Sequence, residues 1–386
     1  MATGTDWTAT EVELAGVKLH LARAGSGRPV LVLHHDTGSP ERLDFYDVLA
    51  RRFDVIVPNH PGYGRSERPQ WLRGVRDVAV MYQWLLADLG VERPSLVGLG
   101  FGGWIAAEMA TMAPREFHRL VLVGAMGLKP PEGDILDQAI VSYLDYARAG
   151  SGRPVLVLHH DIGSPERLDF YDELSVGFDV IVPHHPGYGR SERPQWLRSV
   201  RDVAVIYQCL LADLGIERAS LIGLGFGGWI AAEMATMAPD RLHRLVLVGA
   251  MGLKPPDGDI FDQAIVSYID YARAGFHDQS AFARVYGDVT TDQLVAWDIC
   301  REMCFRIAWK PYMYSQTLPH LLGGVKAPAL VVCGDDDRIV PRSAGELYAA
   351  ALPNARFEIV GDAGHCAEME QPEALARLIG GFIAEN

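Results

Sequence analysis

The stretch SLVGLGFGGWIAAEMA, residues 95–110, carries the pattern that decides the fold class. It opens on a short apolar run, which is typical of a strand that is buried on both faces. Four glycines lie within residues 98–103, and the apolar residues from Gly102 to Met112 then recur with helical spacing. The pattern predicts a buried strand, a glycine turn and a helix, which is the repeating unit of parallel α/β sheets.

This stretch occurs a second time, as SLIGLGFGGWIAAEMA at residues 220–235. It belongs to a longer repeat, in which residues 22–146 recur as residues 147–271 with roughly 18 substitutions over about 125 positions. A third ARAG segment, residues 272–275, runs on into unique sequence, as expected after an unequal crossover. Without one copy the chain would have roughly 260 residues, a normal size for one large α/β domain. We therefore interpret the chain as an α/β domain whose central β/α segment is duplicated.

The same alternation extends outward from the two glycine turns. Further buried strands are predicted over residues 29–33, 54–57 and 120–123, at the matching positions of the second copy, and over residues 329–332 and 356–360. Helices are predicted over residues 75–89, 344–351 and 372–384. Residues 251–325 have a helical and aromatic composition that indicates an inserted cap. The expected architecture is a mostly parallel sheet with helices on both faces and a helical cap.

Composition narrows the class of protein. Apolar residues make up 49% of the chain, and a formal net charge of −14 without a basic stripe argues against a nucleic-acid partner. No apolar run approaches the roughly 18 residues of a membrane span, and the N-terminus does not have the pattern of a signal peptide. The five cysteines are odd in number and scattered, which favours a reducing cytoplasm. Cys300 and Cys304 share a helix face, a spacing more typical of core packing than of a metal site.

Five landmarks resemble those of the α/β-hydrolase superfamily, in the family's order and spacing. They are the oxyanion-loop segment Leu33–Gly38, the turn Pro61–Ser66, the glycine turn Gly98–Gly103 at the place of the nucleophile elbow, the acid loop Gly334–Pro341 and the histidine loop Gly364–Glu368. The resemblance covers the whole chain once the duplication is subtracted. It implies the family's fold, with strand order 1-2-4-3-5-6-7-8 and a cap over the site.

One departure from this family concerns the nucleophile itself. The position of the catalytic serine holds Gly100 in the first copy and Gly225 in the second. Glycine has no side chain and cannot form an acyl-enzyme. Since both copies agree, the change was either present before the duplication or engineered into both copies.

The resemblance leaves a histidine and an acid that are able to do chemistry. His365 is expected to act as a general base, and Asp337 is expected to orient it and to stabilise the imidazolium. Asp335 and Asp336 are alternatives for the acid, but the spacing to Gly334 and Pro341 favours Asp337. A vestigial His365 in an inactive site is the simpler alternative.

The oxyanion hole is built from backbone amides and does not need the serine side chain. By the resemblance, its donors are the amides of Phe226 and Asp161 in the second copy or of Phe101 and Asp36 in the first. His160 and His35 replace the family's usual glycine, and either imidazole could bind substrate.

Two other interpretations of these segments are weaker. His34, His35 and Asp36 suggest a metal site, but adjacent histidines on an extended segment point in opposite directions, so no metal is expected. The spacing Gly98, Gly100, Gly103 satisfies a dinucleotide-binding pattern, but no acidic residue ends the next strand, so no cofactor is expected.

The two copies predict two lobes. Residues 1–148 would form a partial hydrolase lobe, and residues 149–386 a second lobe that lacks the first hairpin and ends in the Asp/His segment 326–386. Each lobe would have an open parallel edge, at the sixth strand of the first lobe and the fourth strand of the second. These edges could pair with each other or form a homodimer, including a domain-swapped one. The alternative is one complete domain with the spare copy looped out.

The functional expectation combines these points. The chain is predicted to hydrolyse an ester or a carbon–carbon bond of a small apolar molecule with a His–Asp dyad and no serine nucleophile. Proton abstraction, as in the family's lyases and cofactor-free oxygenases, remains open. The rival hypothesis is a catalytically inactive homologue that binds a ligand.

Overall fold

The computed structural model describes residues 6–39, 43–127, 144–165 and 167–385. The chain divides into two compact units, Met1–Gln138 and Ala139–Asn386. The division predicted between residues 148 and 149 falls inside a strand of the second unit, Tyr146–Gly150.

The first unit contains a six-stranded sheet. Its strands are β1 (Thr8–Leu14), β2 (Val17–Ala24), β3 (Arg28–Leu33), β4 (Phe53–Pro58), β5 (Ser95–Leu99) and β6 (Arg119–Val123). They are ordered β1-β2-β4-β3-β5-β6, with β3 to β6 parallel to one another, β2 antiparallel to β4, and β1 antiparallel to β2. Its helices are α1 (Asp44–Ala50), α2 (Val75–Asp88) and α3 (Phe101–Met112).

The second unit contains a seven-stranded sheet. Its strands are β7 (Tyr146–Gly150), β8 (Arg153–Leu158), β9 (Phe178–Pro183), β10 (Ala219–Leu224), β11 (Leu242–Val248), β12 (Ala329–Gly334) and β13 (Ala355–Val360). They are ordered β13-β12-β11-β10-β8-β9-β7, and every pair except β7–β9 is parallel. The helices are α4 (Asp169–Ser175), α5 (Val200–Asp213), α6 (Phe226–Met237), α7 (Tyr268–Ala274), α8 (Gln279–Tyr286), α9 (Thr291–Ala308), α10 (Leu318–Leu321), α11 (Arg342–Ala351), α12 (Ala367–Glu370) and α13 (Pro372–Ala384).

Burial explains why the strands are apolar throughout. In β8, Val155 and Val157 pack into a cluster with α4 and α13, while the alternate residues Leu156 and Leu158 are equally buried. Successive side chains of a strand point to opposite faces, so both faces of this sheet are covered. The predicted α/β architecture with a mostly parallel sheet is therefore present.

One prediction about the second unit is wrong. Its fourth-strand equivalent, β9, is not an open edge, because β7 pairs with it antiparallel along Tyr146–Gly150. The ARAG segment of β7 repeats the end of β2, and this short extended segment is enough to hydrogen-bond the backbone of β9. The second unit thus lacks one strand of the hairpin and not both.

The cap lies between β11 and β12, where the sequence predicted it. Helices α7 to α10 form it, and its aromatic residues divide between two environments. Trp297 and Phe276 are buried, whereas Trp309 is 47% exposed and does not serve as a buried lid. Within the described residues, the helices are too short or too polar to cross a membrane.

Candidate active site

Gly225 forms the sharp turn between β10 and α6. Its φ of +53° and ψ of −112° lie in a region that side-chain-bearing residues rarely adopt, as at the strained elbow of the hydrolase fold. The amide of Gly225 donates to the carbonyl of Val248, and its own carbonyl accepts from the amides of Gly228 and Met251. Gly223 must be glycine, since a Cβ there would lie 2.5 Å from the Cα of Gly228. The turn is therefore held rigidly against the next strand.

His365 and Asp337 come from loops that follow two neighbouring strands, β13 and β12. His365 Nδ1 lies 2.9 Å from Asp337 Oδ2, and both side chains are almost fully buried. The other carboxylate oxygen of Asp337 accepts from the amides of Ile339 and Val340, at 2.9 and 2.8 Å. Burial alone would lower the pKa of His365, but the charge and the hydrogen bond of Asp337 outweigh it and raise that pKa above its ordinary value. Asp337 thus orients the imidazole so that Nε2 faces away from the carboxylate.

The two alternative acids are engaged elsewhere. Asp335 Oδ1 accepts from the amide of Ala363, and Asp336 pairs with His277 and Arg338. The geometry pairs His365 with Asp337.

His365 also faces the glycine turn of its own unit. A Cβ at Gly225 would lie 2.7 Å from His365 Nε2 and 2.3 Å from His160 Nδ1. The ring centroids of His160 and His365 are 4.7 Å apart. The position of a serine side chain is therefore flanked by two imidazoles.

His160 is fixed by Glu368, a carboxylate to which the sequence pattern assigned no role. Glu368 places its two oxygens 3.1 and 3.2 Å from His160 Nε2, and both side chains are at most 1% exposed. The sequence contained a signal for the contact between His160 and Gly225, although not for Glu368. In both copies, glycine stands at the position of the family's serine, and histidine stands at the position of its usual oxyanion-loop glycine. Such paired departures indicate that the two positions touch, since one loses the volume that the other gains.

The expected oxyanion residues lie on the two loops that meet at Gly225. Phe226 is the first residue of α6, and Asp161 follows His160 in the loop after β8; both are buried. The amide of Gly227 donates to the carbonyl of His159, which ties the two loops together. Burial is the main cause that raises the pKa of Tyr271 and of Cys300, and the negative charge of Asp161 raises both pKa values further.

A cavity of about 310 Å³ lies beside these loops, against α9 of the cap. Ile162, Tyr188, Trp297 and Cys300 are among its lining residues. The hydroxyl of Tyr188 is buried without a hydrogen-bond partner. Apolar and polar side chains both line the cavity, Arg190 among the polar ones.

The first unit has the same turn in different surroundings. Gly100 has the same φ and ψ as Gly225, and a Cβ on it would lie 2.5 Å from His35 Nδ1. Phe101 begins α3, but His35 and Asp36 are exposed rather than buried. Asp337 and His365, the expected acid and base, belong to the second unit.

Comparisons with known proteins agree with this architecture. The family model described as alpha/beta hydrolase fold matches residues 29–149 and 154–372. The 2-hydroxy-6-oxononadienedioate/2-hydroxy-6-oxononatrienedioate hydrolase of Paraburkholderia phymatum is 28% identical over 273 residues, 65% of this chain and 94% of the relative. A 2-hydroxymuconate semialdehyde hydrolase of Pseudomonas is 28% identical over 263 residues, 61% of this chain and 89% of the relative.

A solved structure shows the same fold. The meta-cleavage product hydrolase of Pseudomonas fluorescens superimposes with a TM-score of 0.54 at 22% identity, over 62% of this chain and 93% of that chain. With the matched family model, the strand order and the elbow turn, these likenesses place the chain among distant relatives of the meta-cleavage product hydrolases. The chain belongs to the α/β-hydrolase fold family.

Proposed function

We propose that the second unit hydrolyses a carbon–carbon bond or an ester of a small, largely apolar substrate, with His365 as general base and no serine nucleophile. The observation that carries the proposal is the position of His365 Nε2. It is buried without a hydrogen-bond partner, and it would lie 2.7 Å from a Cβ on Gly225. Because Gly225 has no nucleophilic atom, the group that His365 deprotonates is water.

Asp337 has the supporting role in this reaction. Its carboxylate accepts a hydrogen bond from the Nδ1–H of His365, which leaves the lone pair of the neutral ring on Nε2, where it can take a proton from water. The imidazolium that forms is stabilised by the same carboxylate. The amides of Phe226 and Asp161 are the proposed donors to the oxyanion that develops on the attacked carbonyl.

The relatives suggest the substrate class. Their names describe 2-hydroxy-6-oxo dienoates, including a 6-phenyl compound. Hydrolysis next to a 6-oxo group breaks the bond between the carbonyl carbon and its neighbour. The hydroxyl of water ends on the carbonyl carbon as a carboxylic acid, and the proton ends on the departing carbon.

The test is turnover of 2-hydroxy-6-oxo-6-phenylhexa-2,4-dienoate and of short acyl esters by the native chain, His365→Ala and Asp337→Asn. The loss of a general base is expected to lower kcat/KM by roughly 10²–10⁴-fold in His365→Ala. His118→Ala removes a surface imidazole of the first unit and is the control for a general effect of losing a histidine. An unchanged rate in His365→Ala would disprove the mechanism.

The rival function is ligand binding without catalysis. The observation that favours it is the missing nucleophile at Gly225, since a pocket can outlast its chemistry. Saturable binding of the same dienoate by calorimetry, without turnover in the native chain, would establish this function instead.

A further inference from the structure

Three neighbouring buried residues, two of which lie against Gly225, have side-chain atoms without a hydrogen-bond partner among the described residues. These atoms are His160 Nδ1, Asp161 Oδ2 and His365 Nε2. The three residues are at most 3% exposed. One ligand atom from each can be chosen so that all three lie within 4.8 Å of one another. Buried polar atoms that face each other in this way are costly unless a donor or a cation lies between them.

The outer partners of the two imidazoles determine which nitrogen has a free lone pair. Glu368 lies against Nε2 of His160, and Asp337 lies against Nδ1 of His365. A carboxylate accepts a hydrogen bond from the N–H of the ring nitrogen that it faces, so in the neutral rings His160 Nδ1 and His365 Nε2 are acceptors. A histidine that binds a metal typically donates its other N–H to a carboxylate, and here both histidines have that arrangement.

The missing side chain of Gly225 leaves room for an ion. A Cβ on this residue would be 2.3 Å from His160 Nδ1 and 2.7 Å from His365 Nε2. Bonds from zinc to imidazole nitrogen are about 2.0–2.1 Å. An ion bound by both nitrogens would lie further from the Gly225 Cα than a Cβ does, in the space between the two rings that the glycine leaves open. A serine at this position would fill the same space.

We infer that His160, Asp161 and His365 form a binding site for one divalent transition-metal ion. Two imidazoles and one carboxylate suit zinc and iron(II) rather than magnesium or calcium, which prefer oxygen ligands. Three protein ligands leave a further coordination position for water. The His160, Asp161 and His365 set differs from the metal site that His34 and His35 suggested in the sequence. Its third ligand, His365, lies on a separate loop about 200 residues further along the chain.

A second potential ligand set shares His160 and is less suitable. It consists of His160, Cys366 and Glu368. The Nε2 atom that faces Glu368 is already engaged with that carboxylate. Burial raises the pKa of the Cys366 thiol well above its ordinary value, which disfavours the thiolate that a metal needs.

The inference rests on the same pocket as the proposed function, but the two can fail separately. An ion and a substrate water compete for the lone pair of His365 Nε2, so the metal-bound and free-base forms exclude each other. Metal binding by a chain that, once depleted of metal, shows no hydrolysis would disprove the proposed function alone. Hydrolysis by a chain that binds no metal would disprove the inference alone.

The test is titration of metal-depleted full-length protein with Co²⁺, followed by visible absorption and calorimetry, and then displacement by Zn²⁺. We expect one Co²⁺ to bind per chain, with a visible absorption spectrum typical of an ion that has a low coordination number. His160→Ala and the nearly isosteric Asp161→Asn are expected to abolish this binding. Glu368→Gln, which alters an outer partner, is expected to weaken it by roughly 10–100-fold. Circular dichroism of each variant shows whether the fold is kept.

Two controls decide the location of the ion. His118→Ala removes a surface imidazole and is expected to leave the binding of Co²⁺ unchanged. His35→Ala alters the matching motif of the first unit, and an equal loss there would place the ion on that unit and overturn the inference. Absence of stoichiometric binding, or binding that survives both His160→Ala and Asp161→Asn in folded protein, would overturn it as well.

Discussion

Residues 95–123 and 220–248 have nearly the same sequence and form the same strand, turn, helix and strand. Their surroundings differ. The side chains of Leu120 to Val123 are 41–49% exposed, while those of Leu245 to Val248 are at most 1% exposed. The second unit continues into β12 and β13, and β12 pairs with β11 along these residues, whereas the equivalent strand β6 ends its sheet.

The two glycine turns differ in the same way. Both have an imidazole close to the elbow, but only that of the second unit is buried and lies beside the His365–Asp337 pair. The local sequence therefore determines the turn and the position of the first imidazole. The chain that follows the repeat determines whether the turn becomes a chemical site.

The largest expected effect comes from introducing a serine at the glycine turn of each unit. Gly225→Ser alone would place Cβ 2.3 Å from His160, so we expect it to be poorly folded or inert. The double variant His160→Gly/Gly225→Ser removes the clash with His160 and places a serine next to His365, whose Nε2 lies 2.7 Å from the new Cβ and has to shift slightly. It is expected to gain covalent labelling by a fluorophosphonate and a burst of product from p-nitrophenyl acetate.

The first unit provides the matched comparison. His35→Gly/Gly100→Ser creates the same elbow in the unit that does not contain His365 and Asp337, so we expect labelling at least about 10²-fold slower, the usual contribution of a general base. Mass spectrometry of labelled peptides locates the modified serine. Equal labelling of both serines would show that the surroundings of the second turn have no catalytic importance.

The second prediction concerns stability and compares Leu247→Ala with Leu122→Ala. Leu247 is fully buried, and its truncation is expected to cost about 2–5 kcal/mol of unfolding free energy. Leu122 is 43% exposed, and its truncation is expected to cost roughly 1 kcal/mol. Urea unfolding monitored by hydrogen exchange and mass spectrometry assigns each loss to its unit. Equal costs would mean that β6 is covered in solution.

Sequence patterns predicted most of the strands and helices. The segment RPVLVL predicted β3 and β8 because a continuous apolar run suits a strand with both faces covered. The helical periodicity of residues 75–89 predicted α2 to within one residue of its observed end at Asp88. The edge of the second unit was mispredicted, since whether a four-residue remnant pairs with β9 depends on long-range backbone contacts.

The candidate site was less predictable, for a physical reason. Spacing favoured Asp337 without excluding Asp335 and Asp336, and only the hydrogen-bond partners in three dimensions separate the three acids. The engagement of His160 by Glu368 joins residues 208 positions apart. A single sequence does not encode such pairs in its periodicity.

The third prediction concerns the exposed edge of the first unit. Val121 lies in β6 and is 46% exposed. If two copies of the chain pair through this strand, Val121→Lys is expected to shift the protein towards monomer in sedimentation velocity, because a charge on an edge strand opposes pairing. Val121→Thr keeps the branched shape without the charge and is the control. A native chain that is monomeric at all concentrations would exclude this homodimer.

The smallest effect is expected at a helix N-terminus where the two units differ by one residue. Ser199 caps α5, and its side chain accepts from the amide of Asp202 while the Asp202 carboxylate accepts from the amide of Ser199. In α2 the equivalent residue is Gly74, which has no side chain to accept from the Asp77 amide. Only the hydrogen bond from the Gly74 amide to the Asp77 carboxylate is present. Ser199→Ala is expected to lower the unfolding free energy by about 1 kcal/mol.

The reciprocal change tests the same cap in the first unit. Gly74 has an extended φ of −156°, and a Cβ on it would meet no atom within 4 Å, so Gly74→Ser fits without strain. We expect it to stabilise α2 by a few tenths of a kcal/mol, because serine is a slightly better cap than glycine and restricts the unfolded chain. Hydrogen exchange of the α2 amides measures this gain. A loss of protection there would mean that the turn before α2 needs glycine for a reason other than its backbone angles, and that the two copies have diverged in structure as well as in sequence.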